Sequence, residues 1–163
     1  MKISIIAAVG KNLELGKNND LIWSLPNDLN FFKNVTNGKM VVMGKNTFKS
    51  LPKVLPNRKN VVLTFPDDKE ILPSEVEIFH GIPEFLDRYK DYTEEIFIIG
   101  GASIYKQFLN LADTLYLTEI NDTCLDASVY FPKFNKKLFI KEIIGENSDN
   151  DIKYKHVIYR RKR

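Results

Sequence analysis

The chain has 163 residues, 44% hydrophobic and 28% charged, which suits one folded domain over residues 1–163 burying about 70% of the surface its unfolded form exposes. A net charge of +3 is too mild to imply nucleic acid, and no apolar run approaches the roughly 20 residues that span a bilayer, so neither nucleic acid nor membrane is expected as a partner, while small anionic ligands fit. The single cysteine, Cys124, excludes an intrachain disulfide and suits a reducing compartment, with the cytoplasm as default. With only His80 and His156 beside it, no metal-ligand spacing arises.

Lys2 followed by Ile3 to Val9 mimics the start of a signal peptide, but the run is short and closes at Lys11 without a cleavage site. Ile3 to Ala8 instead reads as a central parallel strand covered on both faces. Val9 to Trp23 carries Gly10, Asn12, Gly16, Asn18 and Asn19 without a clear period and predicts a long, lid-like loop. Ser24 or Leu25 then caps a helix opened by Pro26, in which Leu25, Leu29, Phe32 and Val35 share one face, and Asn37-Gly38 stops it. Met40 to Met43 is a second strand ending at Gly44, followed by a short helix from about Lys45 to Leu51. Asn60 to Thr64 and Val76 to Phe79 are further strands, Pro83 opens a helix to about Lys90, and Ile96 to Ile99 runs straight into Gly100-Gly101. A helix from about Ala102 to Leu109, a strand from Thr114 to Ile120 and a hairpin of Phe139–Gly145 with Ile152–Arg160 around Glu146–Asp151 complete the chain.

Strands alternating with helices predict an α/β fold of three layers: a mostly parallel twisted sheet, about four flanking helices and an antiparallel C-terminal hairpin. Ligands of such sheets bind beyond the carboxyl ends of the strands, which makes one rim of Ala8 with the lid, Gly44, Thr64, Gly100-Gly101 and Thr118.

Asp28 falls inside the apolar stripe of its helix. Two readings stand: a core-facing carboxylate that requires donors or a ligand, or a first-turn acid that complements the helix dipole. Ile99-Gly100-Gly101-Ala102-Ser103 is a strand, a glycine pair and a helix start, and Gly44-Lys45-Asn46-Thr47 repeats that order. Neither is the full dinucleotide fingerprint or a phosphate-binding loop of the Walker kind, yet two such turns on one rim suit a bridging pyrophosphate. Arg58, beside an apolar segment, has the planar fork that clamps a carboxylate, or is a surface arginine. Trp23, the only tryptophan, is either core or an indole donor to water or ligand. The basic end Arg160–Arg163 reads as a solvated tail.

Six motifs follow one another at fixed spacing: Trp23-Ser24-Leu25-Pro26-Asn27-Asp28-Leu29 with Phe32-Lys33 and Thr36, Val42-Met43-Gly44 with Thr47, Leu55-Pro56-Asn57-Arg58-Lys59-Asn60, Ile99-Gly100-Gly101 with Ile104-Tyr105, Leu115-Tyr116-Leu117-Thr118, and Phe131-Pro132. On these, from end to end, the chain resembles the single-domain bacterial dihydrofolate reductases. The resemblance implies an eight-stranded sheet, hydride transfer from the cofactor NADPH to 7,8-dihydrofolate, and susceptibility to antifolate-type inhibitors. Asp28 would bind the amidine-like edge of the pterin and favour protonation of the ring nitrogen, braced by Thr118, with Trp23 holding a water and Leu21 on the lid. Ile6, Ala8, Leu29, Phe32, Leu55 and Ile99 would line the folate cleft, with Arg58 and, more weakly, Lys53 on the glutamate tail. Ala8, Leu15 and Gly16 would meet the nicotinamide end of the cofactor. Gly44, Lys45, Asn46, Thr47, Leu63, Thr64, Ile99, Gly100, Gly101, Ala102, Ser103 and Tyr105 would take the rest, with a cis Gly100-Gly101 peptide.

Some positions depart from the family pattern. Lys45 stands where many members have arginine, Phe65 follows Thr64 where a basic or polar residue is frequent, and Ser103 replaces an occasional arginine. Lys45, Thr64 and Ser103 therefore remain as carriers of the 2′-phosphate. Ile22 replaces a usual proline, and Ala127-Ser128-Val129 a frequent Gly-Asp-Thr, so the lid's behaviour is not implied. A same-fold reductase of a flavin-precursor pyrimidine and a non-catalytic dinucleotide- or pterin-binding module are the alternatives. A monomer is the simplest assembly.

Overall fold

The computed structural model describes residues 1–17 and 20–163; Asn18 and Asn19 of the expected lid lie outside them. In chain order the elements are β1 (Lys2–Val9), β2 (Glu14–Lys17), β3 (Asp20–Leu21), α1 (Pro26–Thr36), β4 (Met40–Gly44), α2 (Lys45–Ser50), β5 (Lys59–Leu63), β6 (Val76–Phe79), α3 (Ile82–Arg88), β7 (Glu95–Gly100), α4 (Ala102–Phe108), β8 (Thr114–Ile120), β9 (Val129–Tyr130), β10 (Phe139–Asp149) and β11 (Ile152–Arg161), with 3-10 turns at Leu109–Leu111 and Lys136–Leu138.

The main sheet has eight strands in the order β10-β11-β8-β1-β7-β4-β5-β6. β1 sits between β7 and β8, parallel to both, and β4, β5 and β6 extend the parallel part. β11 joins β8 antiparallel, and β10 joins β11 likewise. The central strands read as unbroken apolar runs because each face meets its own core. Ile5, Met40, Val42 and Val61 pack with Phe85 of α3 and Phe108 of α4. Val41, Met43, Val62 and Phe97 pack on the opposite face with Phe32 and Val35 of α1 and Phe48 of α2. The three-layer expectation holds, and no helix among the described residues is long and apolar enough to cross a membrane.

Three sequence expectations need correction. The first concerns the lid: it is not wholly irregular, since β2 pairs with β3 and with β9 in a second, three-stranded sheet. Buried Glu14 anchors it, one carboxylate oxygen accepting the Asn12 N–H and the other the Cys124 N–H, both at 2.7 Å. The second is the C-terminal hairpin, whose turn is only Asn150-Asp151, both in the left-handed region (φ 53° and 63°), with Asp149 opposite Ile152.

The third is the inner face of α1. Leu29 is 54% exposed, whereas Thr36 is fully buried and Asp28, Phe31, Phe32 and Val35 are half-buried against the sheet. The start of α1 explains this orientation. Its N-cap, Leu25, offers no side-chain cap, and Asp149 at the tip of the hairpin supplies one. Asp149 accepts the Asn27 N–H at 3.0 Å and the Asn27 side-chain amide at 2.5 Å, while the Asn150 amide donates to the Ser24 carbonyl at 2.9 Å. Gly38, at φ 73°, ends the helix as expected.

Candidate active site

Register brings the carboxyl ends of the parallel strands level. Ala8 lies opposite Thr118, Gly44 opposite Leu63, and Met43 opposite Gly100. At one end of this rim the Thr118 hydroxyl donates to Asp28 Oδ1 at 2.5 Å. His156 Nε2 lies 3.0 Å from the same oxygen. His156 and Thr118 are directly opposed on β11 and β8, so their side chains share one face and converge on α1. The imidazole stacks on Phe31 at 3.8 Å between centroids and 8° between planes, with Tyr154 edge-on at 5.4 Å. An ionised carboxylate only accepts, so the imidazole donates from Nε2. Both donors reach Oδ1, and among the described residues no hydrogen bond reaches Oδ2. The two readings of Asp28 thus coincide in a first-turn acid that also faces the sheet with its side chain 17% exposed.

Apolar groups border this carboxylate unevenly. Ile6 is buried in the second core, with Phe32, Leu55 and Ile99 half-buried beside it. Ala8 packs on Leu25 and Ile120, and Leu29 stands out from α1. Arg58 is held in place: Nε donates to Thr36 Oγ1 at 2.9 Å, Nη1 to the Pro56 carbonyl at 2.8 Å and Nη2 to the Lys33 carbonyl at 3.1 Å. Three of five guanidinium N–H groups are used, leaving one on each terminal nitrogen. Burial lowers its pKa, and a guanidinium remains charged all the same. Lys53 is exposed in the turn before it.

On the lid, the Trp23 indole donates to Asp122 Oδ2 at 2.9 Å. Its one donor is met by Asp122 here, and that hydrogen bond is also the main cause holding the Asp122 carboxyl below its usual range. Leu21 is 80% exposed on β3. Leu15 is half-buried against the first core, and Gly16 on β2 accepts the Ser128 N–H at 3.0 Å, so the departure at Ala127–Val129 still closes the lid sheet. Cys124 is neither bridged nor activated: its thiol donates to Asp126 at 3.2 Å, which, with burial, pushes its pKa up.

The glycine-bearing turns form the middle of the rim. The Gly100–Gly101 peptide is cis, and Gly100 has φ 135°. A Cβ on Gly100 would stand 3.2 Å from Thr47 Oγ1 and be strained at that φ, and one on Gly44 would crowd Ile104 Cγ1 at 3.1 Å, so both turns favour bare backbone where α2 and α4 begin. Neither Gly44 nor Gly101 caps its helix with a side chain, which leaves first-turn N–H groups around Asn46, Thr47, Ala102 and Ser103 for an outside acceptor. Such a donor set, on turns that favour bare backbone, fits a dinucleotide pyrophosphate. Tyr105 supports the turn from beneath, its buried hydroxyl donating to the Ile6 carbonyl at 2.8 Å. Leu63 is buried in the first core, which leaves its backbone on the rim.

At the far end of the rim the expected phosphate carriers are already engaged. Lys45 Nζ lies 2.5 Å from Asp68 Oδ2 and 3.3 Å from Glu70. The Thr64 hydroxyl donates to the same Asp68 oxygen at 2.7 Å, and the Glu70 N–H donates to Asp68 Oδ1 at 2.8 Å. The Lys45 ammonium first, then the Glu70 N–H and the Thr64 hydroxyl, hold the Asp68 carboxyl well below the usual carboxylate range. Ser103 is exposed, its hydroxyl accepting from Gln107 at 3.2 Å. His156, Asp68, Asp122 and Asp149 were not singled out from the sequence. Asp68 follows Phe65-Pro66-Asp67, where an acid reads as turn chemistry, and His156 has no metal-ligand spacing with Cys124 or His80.

A family model described as dihydrofolate reductase matches residues 2–162. The dihydrofolate reductase of Bacillus subtilis is 38% identical over 98% of this chain and 95% of its own length. The type 3 dihydrofolate reductase of Salmonella typhimurium is 42% identical over 82% of this chain and 80% of its own. Among solved structures, a dihydrofolate reductase from Enterococcus faecalis complexed with NADP(H) and RAB-propyl superposes with a TM-score of 0.87 at 29% identity, covering 99% of this chain and 97% of that one. The chain belongs to the dihydrofolate reductase family.

Proposed function

We propose that Asp28 is the acid-assisting group of an NADPH-dependent reduction of 7,8-dihydrofolate to tetrahydrofolate. The observation that carries this reading is the Asp28 carboxylate with Oδ1 fixed by Thr118 and His156 and Oδ2 unclaimed among the described residues. A carboxylate held by one edge presents the other to paired N–H donors, the pattern of the amidine-like edge of a pterin. Thr118 keeps an acceptor lone pair for the neighbouring amino group while it donates to Asp28. The negative charge at Asp28 favours protonation of the ring nitrogen of the C=N bond, with the proton delivered through water. NADPH, when bound, supplies the hydride to the carbon of that bond.

The remaining residues bind and orient. Ile6, Ala8, Leu29, Phe32, Leu55 and Ile99 form the apolar wall, and the exposure of Leu29 is that of a side chain facing an open cleft. The two unused N–H groups of Arg58 face the tail carboxylate, with Lys53 farther along. Ala8, Leu15 and Gly16 meet the nicotinamide end, and Gly44 to Thr47, the Leu63 backbone, Thr64 and Ile99 to Tyr105 follow the rest of the cofactor. Trp23 acts on the lid through Asp122, and Leu21 forms its edge. A monomer of one domain in the cytoplasm, open to antifolate-type inhibitors, completes the proposal. The relatives are dihydrofolate reductases, and a flavin-precursor reductase is not favoured.

The test is the loss of reduced-cofactor absorbance when dihydrofolate is added to the purified protein. Turnover is expected, and its absence in folded protein rejects the assignment.

A further inference from the structure

Of the side chains left to recognise a 2′-phosphate, Lys45, Thr64 and Ser103, the first two already bind one carboxylate. Asp68 Oδ2 takes the Lys45 ammonium at 2.5 Å and the Thr64 hydroxyl at 2.7 Å. Its other oxygen closes the loop by accepting the Glu70 N–H at 2.8 Å. Glu70 adds a second anion, 3.3 Å from Lys45 and 2.7 Å from Lys49. Lys45 and Lys49 therefore face two anions, which leaves the exposed Lys69 as the further cation beside the seat. Lys45, Thr64, Asp68, Lys69 and Glu70 border a cavity of about 230 Å³, together with Ile78 and His80. Phe65, which follows Thr64, stands 77% exposed and adds no donor from its side chain.

The geometry points to Asp68 as the residue that sets how far this enzyme discriminates between the phosphorylated and unphosphorylated nicotinamide dinucleotides, by holding with its own carboxylate the cationic seat of the 2′-phosphate. This rests on the cofactor rim proposed above. A phosphate entering the seat must take Lys45 and Thr64 from Asp68 and then bear that carboxylate as a like-charged neighbour. A free ribose 2′-hydroxyl meets no such exchange, because a carboxylate accepts a hydrogen bond from a hydroxyl as it stands. Selectivity for the phosphorylated cofactor is thus lower than Lys45 and Thr64 alone would give. Asn at position 68 keeps the size of the side chain and removes the charge.

Isothermal titration calorimetry of the whole protein with NADPH and NADH, and with the fragments 2′,5′-ADP and 5′-AMP, reads this directly without turnover. In Asp68→Asn, NADPH and 2′,5′-ADP are expected to bind about tenfold more tightly, as removal of one close like charge at a half-exposed site predicts, with NADH and 5′-AMP gaining no affinity. Asp68→Ser, which keeps a hydroxyl and no charge, is expected to move the ratio the same way, and circular dichroism of both variants checks that they are folded. Lys45→Gln is expected to weaken NADPH and 2′,5′-ADP alone. If the ratio of the two dinucleotide affinities is unchanged in both Asp68 variants, or if NADPH gains affinity without 2′,5′-ADP doing so, the role of Asp68 is overturned. If neither dinucleotide binds the folded wild-type protein, the cofactor rim itself fails, a result that no Asp68 variant can produce by itself.

Discussion

The two ends of the rim are built from the same ingredients, a carboxylate and nearby donors, and they are balanced in opposite ways. At Asp28 a hydroxyl and an imidazole N–H fix one oxygen, and no hydrogen bond among the described residues reaches the other. At Asp68 an ammonium, a hydroxyl and a backbone N–H occupy both oxygens, and a second acid shares the ammonium. The first end is organised ahead of a ligand, so binding there exchanges nothing within the protein. The second is satisfied by itself, so binding there displaces a bond already made. Preorganised charge drives chemistry, whereas self-paired charge controls which partner is admitted.

The largest break in this comparison comes from Asp28→Asn. The fold and cofactor binding should persist, since the amide keeps the shape of the side chain, while turnover at neutral pH falls at least about 10²-fold, the lower end for positioned acid–base assistance. Steady-state kinetics beside a thermal melt checks this, and near-normal turnover would remove Asp28 from the mechanism. Arg58→Leu follows. Loss of a charge-assisted carboxylate contact should raise the KM for dihydrofolate about 10- to 100-fold with a much smaller change in kcat. An unchanged KM would reject the clamp.

His156→Phe tests the opposite side of the Asp28 carboxylate. Phenylalanine keeps the ring stacked on Phe31 and removes the donor to Oδ1, leaving Thr118 as the sole brace. A loss in kcat of about 3- to 10-fold is expected for one hydrogen bond to a charged group. Gln, which carries an N–H donor, should recover part of it where Phe does not. Equal kcat in both variants and wild type would show that the imidazole serves packing alone.

What the sequence revealed of this arrangement follows from how each residue signals itself. β6 and β8 could be read to the residue because turn residues bracket short β-rich segments, Pro73-Ser74 and Gly81 around the first and Asp113 and Asn121-Asp122 around the second. β10 was cut short because nearly all of it is exposed, so no alternation marks its second half, and its length is set by the Asn150-Asp151 turn instead. The lid strands β2 and β3 are too short to show a period. Asp28 and Thr118 were visible through family motifs and the rim rule. His156 lies 128 residues from Asp28 in the chain, and only the β8–β11 register brings it there. Asp68 was hidden for a different reason: beside Pro66 an acid reads as turn chemistry, and its bond to Lys45 spans a loop with no regular period.

The smallest effect is expected at the lid, where Glu14 is a third carboxylate, satisfied by backbone rather than by cations. Burial pushes its pKa up, but N–H bonds from Cys124, from its own backbone and from Asn12 outweigh that, and the net shift is below the ordinary value of 4.5. A depressed pKa means that ionised Glu14 stabilises the folded lid fully above that ordinary value, and that the contribution is lost as pH falls through the lower, folded one. Acidification below pH 4.5 should therefore loosen the lid. Hydrogen exchange at the Cys124 amide, which donates to Glu14, should speed up there more than exchange in β1. In Glu14→Gln the side-chain amide faces one of two backbone N–H donors that it cannot accept. The lid should open more readily by about 1–3 kcal/mol already at neutral pH and lose this acid dependence. Equal acid sensitivity of the Cys124 amide in wild type and variant would place that dependence on another acid, the first to examine being Asp122 beneath Trp23.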